Sequence, residues 1–330
     1  HGGLLSVTLP APYSTGDRPQ TRISYSSFNA YYRSGPTTWQ SGSAITLPVE
    51  VSACATGAPT SCDGAAAEVV TTFAYGSSGV MNNLLPTVVS SGAGNASPIS
   101  VVTTSWTPLG DALEIDGPLS GTYDRTQYRY NANRELTDVI GPDPDGSATS
   151  APHRAMRITR DSLGLPTLVE QGTTPSYANP NWPTFTSLQR VATTYDNQGR
   201  PISNSLSDGS TTYSLVQYSY DTSGRLDCTA VRMNPAEFSS PPASACTPDT
   251  PGNFGPDRIA QTRYNTLGQV SEVESGLGQT GAITESVTYT DNGLPLTVTD
   301  GEGNLTTYAY DGLDRLAAVY YPNAPGGGPS

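Results

Sequence analysis

Lysine is absent: all 16 basic residues are arginine. That excludes chemistry built on a lysine amine, including the P-loop, the Schiff base and Ser–Lys hydrolysis. Histidine is nearly absent, with only His1 and His153 in the chain. A Ser–His–Asp triad has only His153 to draw on, in a polar loop between Pro152 and Arg154. No H-E-x-x-H, G-x-S-x-G or paired C-x-x-C occurs. Charged residues make up only 14% of the chain, with a net charge of −13 and a pI near 4.4. Such a chain has no basic stripe with which to hold nucleic acid. No apolar run reaches the ~18 residues that cross a membrane as a helix, and no apolar stripe of helical period exceeds two turns.

Turn formers and tyrosine are abundant. Gly numbers 34 and Pro 28, and Tyr outnumbers Phe by 19 to 5. The aromatic content therefore carries hydroxyls, which suits half-buried sheet surfaces. The stretch from Asp300 to Leu316 reads turn, strand, turn, strand, and a degenerate form of it recurs down the chain. Aligned on its second tyrosine, the recurring slot falls at Tyr25, Tyr75, Trp106, Tyr130, Arg160, Tyr195, Tyr220, Tyr264, Tyr289 and Tyr310. The next residue is Asp or Asn at Asn131, Asp161, Asp196, Asp221, Asn265 and Asp311. Four residues after the slot stands Gly at Gly79, Gly110, Gly164, Gly199, Gly224, Gly268 and Gly293, with Asn29 and Asp314 in two of the other repeats. Two residues further comes an apolar residue or Pro, as in Met81, Leu136, Leu226, Val270 and Leu316. Alternation before the slot, as at Tyr308 and Tyr310, puts two side chains on one face of a strand. The Asp caps a turn and the Gly takes the left-handed position, so each unit predicts a β-hairpin. One hairpin is unstable alone, so the units must stack edge to edge.

The tandem Y-D-x-x-G-R of Tyr195 to Arg200 and Tyr220 to Arg225, with Asp311 and Arg315 in the fullest copy, resembles the RHS/YD-repeat family. The likeness runs through nearly the whole chain, is strongest from Val191 to Pro322 and is weak before Val101. The resemblance implies a strip of hairpins coiled into a hollow shell, as in bacterial polymorphic toxins, insecticidal toxin cocoons and teneurins. The conserved closing core of the bacterial members is not visible; Asp143 to Gly146 has the letters D-P-D-G but lies mid-chain. The expected fold is all-β: tandem hairpin repeats forming a coiled antiparallel sheet, an open shell or a tube-like solenoid. Residues 1–100 read as divergent repeats with a Cys-containing insertion, 101–227 as YD repeats and 228–258 as a Cys-containing loop. Residues 259–323 hold the best-patterned repeats and 324–330 a linker-like tail. The chain reads as a piece of a longer exported protein, secreted or at the cell surface. Its expected partners are further repeats of a parent chain or identical subunits, with carbohydrate as an alternative ligand.

Several chemical readings compete with the repeat. Asp221 to Gly224 has the D-[ST]-[GS] letters of an aspartic protease, but Asp208-Gly-Ser is no second copy, and Asp221 is already a turn residue. Asp300, Glu302 and Asn304 alternate like a calcium loop without its closing bidentate Glu, and Asp111, Glu114 and Asp116 fit still less well. The tyrosine stripe suits either a sugar-stacking wall or an internal ladder; recurrence at the repeat period favours the ladder. Cys54 with Cys62 and Cys228 with Cys246 do not have zinc-knuckle spacing and are expected as two disulfides pinning surface insertions. No catalytic residue, metal or cofactor is assigned. Removal of divalent cations with EDTA is expected to leave the melting temperature unchanged. A fall of many degrees in a thermal melt would restore the Asp300 site.

Overall fold

A computed structural model describes residues 2–11, 18–35, 38–54, 64–77, 80, 82–145, 151–177 and 184–322. The fold is all-β and antiparallel. Among the described residues the only helical element is a 3-10 turn, Pro235–Glu237, capped by the Asn234 side chain. His1, Gly79, Met81, Cys62 and the 324–330 tail lie outside the described residues. The chain divides into two compact units, His1–Ile158 with Gln171–Thr186, and Thr159–Glu170 with Ser187–Ser330.

The first unit begins with β1 (Ser6–Thr8), β2 (Gln20–Arg33), β3 (Trp39–Cys54), β4 (Glu68–Tyr75) and β5 (Pro86–Ala93). It continues through β6 (Ser100–Trp106), β7 (Ala112–Asp116), β8 (Thr126–Tyr130), β9 (Leu136–Ile140) and β10 (His153–Arg160). Each strand pairs antiparallel with the next. β11 (Pro166–Thr174) and β12 (Thr186–Tyr195) lead on to β13 (Pro201–Ser207), β14 (Thr212–Tyr220), β15 (Leu226–Arg232) and β16 (Arg258–Tyr264). β17 (Val270–Ser275), β18 (Ile283–Tyr289), β19 (Pro295–Thr299), β20 (Leu305–Tyr310) and β21 (Leu316–Tyr320) complete the second unit. From β12 to β21 the sequence-neighbouring strands again pair antiparallel. Slot residues Tyr195, Tyr220, Tyr264, Tyr289 and Tyr310 thus end equivalent strands of one antiparallel run.

A register shift marks the slot in every hairpin from Tyr25 to Tyr130 and from Tyr195 to Tyr310. Thr194 pairs with Ser203 while Tyr195 pairs with Pro201, so Ile202 is an extra residue on the return strand. Such β-bulges raise local twist and bend the strand. Two alignments from the sequence need correction. No turn follows Tyr25: β2 runs on through Asn29, which pairs with Ala44, and Tyr25 faces Pro48. Tyr75 pairs with Pro86, so the return strand is entered at Pro86 and not at the offset expected from the sequence. In both cases extra residues fall between slot and return strand, and the fixed offset cannot register them.

The two faces of the sheet are unequal. Residues one and three before the slot, with their cross-strand partners, form the face that carries the buried side chains. In the second unit these include Leu215, Cys228, Ala230 and Ile259. The segment between β15 and β16 folds across them. Its Ala245 is buried in the same cluster, Gln217 Nε2 donates to the Pro242 carbonyl at 3.1 Å, and the Ala245 amide donates to Ser219 Oγ at 2.8 Å. The Cys228–Cys246 disulfide ties segment to strand. Cys228 thus belongs to β15 and is fully buried, so the bridge sits in the core and not in a peripheral loop. In the first unit Ile140 and Ala155 lie on the corresponding face, under Tyr177 and Phe185. Cys54 is disulfide-bonded, and its expected partner Cys62 lies outside the described residues.

The segment over β15 is held by a buried charge network. Arg232 pairs with Asp257 at 2.6 Å, both side chains being under 5% exposed (2% and 4%). Arg232 also donates to Gln217 Oε1 and to the Thr247 and Ser244 carbonyls. Burial raises the Asp257 pKa, but the Arg232 guanidinium and the Met233 and Asp249 amides outweigh it and hold the carboxyl below its ordinary value. A buried cation left unpaired is costly, so Asp257→Ala is expected to destabilise the protein by about 3–5 kcal/mol. Asp257→Ala with Arg232→Met should recover most of that loss, as read by urea unfolding. Equal losses in the single and double variants would contradict this.

Candidate functional site: the interlocked hairpin turns

The sequence-expected residues assemble one structure repeated along the strip. Asp196 shows the local reason for the turn. Its Oδ1 accepts from the Gln198 and Arg200 amides, both at 2.9 Å, and its Oδ2 accepts from Arg200 Nε at 2.7 Å. Asp221 does the same with Ser223 and Arg225, and Asp311 with Leu313 and Arg315. Where the sequence has Thr, at Thr107 and Thr290, the hydroxyl accepts from the amide four residues on, an equivalent the Asp/Asn pattern misses. Gly224 takes φ +83°, and a Cβ there would stand 3.1 Å from Arg200 Nη1 of the preceding turn. The left-handed backbone there favours glycine, and a side chain would also press on the Arg200 guanidinium.

Most slot rings reach back to the hairpin before them. Tyr220 Oη donates to the Pro201 carbonyl, Tyr264 to Leu226 and Tyr310 to Pro295, all at 2.9 Å. Tyr289 donates to Val270 at 2.7 Å and Tyr195 to Pro166 at 2.9 Å. In the first unit Tyr25 donates to Leu4 and Tyr75 to Pro48, and Trp106 substitutes its indole N–H toward Pro86. At Tyr75, Trp106, Tyr220, Tyr264, Tyr289 and Tyr310 the acceptor is the residue paired with the preceding slot. Proline recurs there because the bulge position needs no ladder N–H. Burial raises the phenol pKa of Tyr75 and Tyr220. At Tyr130 burial, Asp111 and Tyr128 raise it, and Asp111 itself is held by Arg134 at 2.7 Å.

The arginines complete the interlock. Arg200, ion-paired to Asp196, lies over the Tyr220 ring at 4.3 Å, and Arg225, paired to Asp221, lies over Tyr264 at 4.4 Å. Gln269 takes the same place before Tyr289 and donates to the Gly293 carbonyl. Tyr308, two residues before its slot, is half-buried beside Tyr310 in β20. Asp221 is therefore spent on a turn. Asp300 likewise accepts from the Glu302 and Asn304 amides and the Asn304 side chain. His153 stacks on Tyr177 at 4.2 Å, with Nδ1 against the Gly141 carbonyl. The cluster of Asp227, Cys228 and Cys246 has a metal-like spacing, but both its sulfurs are in a disulfide.

The RHS Repeat family matches residues 289–325. That segment is similar to an RHS repeat. It holds the Tyr289 and Tyr310 slots, Gly293, Asp311 and Arg315, the fullest copy of the sequence motif. No protein of the curated set matches the sequence. Among solved structures, a TcdB2-TccC3-TEV crystal structure is similar at 15% identity and a TM-score of 0.36, over 94% of this chain and 18% of that one. A Photorhabdus luminescens Tc holotoxin pore is similar at 14% identity and a TM-score of 0.32, over 92% of this chain and 18% of that one. The chain thus spans less than a fifth of the length of these structures.

The turn carboxylates give a pH prediction. The Arg225 amide, then its side chain, lowers the Asp221 pKa from 3.8, and the Arg315 and Leu313 amides lower Asp311. A depressed folded-state pKa contributes stability above the unfolded value and loses it as pH falls through the folded one. The melting temperature is therefore expected to fall below about pH 4, near the ordinary 3.8. Asp221→Asn should flatten part of that slope. An acid slope identical in both proteins would contradict the assignment.

Proposed function

We propose that the chain is a non-enzymatic wall segment of an exported RHS/YD-repeat protein, acting by its shape in an encapsulating shell of the toxin-delivery type or in a surface filament. The observation that carries this reading is the interlock itself. The residues that a chemist would inspect first, the acids, arginines and tyrosines of the motif, are consumed in joining one hairpin to the next. Asp196, Asp221 and Asp311 are ion-paired to arginines four residues on, and the slot hydroxyls are donated to backbone carbonyls. Further repeats of a parent chain are the partners this reading needs. No helix of the described residues is long and apolar enough to cross a membrane.

A second reading rests on one cleft. A space of about 440 Å³ lies between the 241–244 segment and the sheet, lined by Gln217, Tyr218, Tyr220, Asp196, Arg200 and Asp227. Hydroxyls, amides and aromatic edges of that kind suit a saccharide. A glycan array separates the two. The wall reading expects no saturable retention and no hydrolysis. Saturable binding lost in Gln217→Ala would carry the adhesion reading, and turnover of a retained glycan would overturn the wall reading.

A further inference from the structure

The last turn holds half of an interlock. Arg315 Nη2 is paired to Asp311 at 2.8 Å, as Arg200 and Arg225 are to their own aspartates at 2.6 and 2.7 Å. Those two guanidiniums each cover the ring of the next slot, and their side chains are 31% and 34% exposed; the Arg315 side chain is 74% exposed. Leu316 occupies the position at which Pro201, Leu226, Val270 and Pro295 accept a slot hydroxyl, and it is itself an exposed leucine on a strand paired only with β20 among the described residues. The aspartate holds the guanidinium in place before any ring arrives.

We propose that the β21 edge is a receptor for one kind of partner: an antiparallel strand that carries a tyrosine or tryptophan at the slot register. The ring would stack on Arg315 and its O–H or N–H would donate to the Leu316 carbonyl while the backbones pair. This rests on the wall reading only in taking the partner to be a hairpin of the same type. The described edge of a second copy does not qualify. β1 is a return strand like β21, since Leu4 accepts from Tyr25 as Leu226 accepts from Tyr264, and its residues Ser6 to Thr8 include no aromatic ring. Joining β1 to β21 would place two return strands side by side and leave Arg315 uncovered. The described strand β1 of a second copy therefore does not supply the ring that Arg315 lacks.

The test extends the full chain after Ser330 with a copy of Arg258 to Ser275, which contains no cysteine. Hydrogen exchange then reads the β21 amides. The expected result is exchange slowed at least about tenfold relative to the unextended chain. With the Tyr264→Phe change in the appended copy, protection should fall about fivefold, the worth of one hydrogen bond. Tyr264→Ala in the copy should abolish it, and Arg315→Ala in the chain should weaken it. Equal protection by the Tyr and Ala copies, or none by either in a chain whose other strands remain protected, would overturn the inference. So would concentration-dependent growth of the unextended chain that Arg315→Gln leaves unchanged. None of these outcomes bears on glycan binding, so the wall reading stands or falls separately.

Discussion

The structure depends on a contact that crosses from one hairpin to the next. A slot ring donates its hydrogen to the carbonyl at the preceding bulge, and that hairpin's arginine closes over the ring where the sequence supplies one. A ladder of backbone hydrogen bonds specifies that strands are neighbours but fixes register weakly, since a slip by two residues preserves the facing pattern. The slot ring removes that freedom. In the regular hairpins it fits where a bulge, a left-handed residue and a bare carbonyl coincide, and each of those turns supplies all three once. Tyrosine outnumbers phenylalanine because the contact needs a donor, and Trp106 is tolerated because its indole provides one.

The same arrangement explains how hairpins with few buried residues stay folded. Fully buried residues are few and concentrate on the face opposite the slot rings, beneath the segments inserted between β15 and β16 and around Tyr177. There apolar burial, a disulfide and the Arg232–Asp257 pair act together. On the slot face the stabilisation is distributed: a slot-ring hydrogen bond in most repeats, in places an ion pair, and a guanidinium over the ring at Tyr220 and Tyr264. The inserted segments are then local substitutes for a second layer.

Much of this was legible in the residues. The Tyr-to-Gly offset of four located the turns, and the alternation before it located the slot strands. The Asp221 and Asp300 sites were already better explained as turns, and the hydrogen bonds at both agree with that. Three things were not legible. The bulge is invisible because it is a property of pairing; its only trace is proline at Pro48, Pro86, Pro166, Pro201 and Pro295. The threonine caps at Thr107 and Thr290 were hidden by a pattern drawn for carboxylates and amides. The burial of Cys228 was missed because the cysteine pairs were taken with their loops, whereas one of the two sulfurs begins on a strand.

The account's central claim is that neighbouring repeats are coupled through the slot ring. A double-mutant cycle on Arg200 and Tyr220, with Arg200→Gln, Tyr220→Leu and the pair, measures that coupling by urea unfolding. The account predicts a coupling free energy of about 0.5–2 kcal/mol, the range of a partly desolvated cation–π contact. Strictly additive losses, with no coupling between a turn and the ring of the next hairpin, would contradict it.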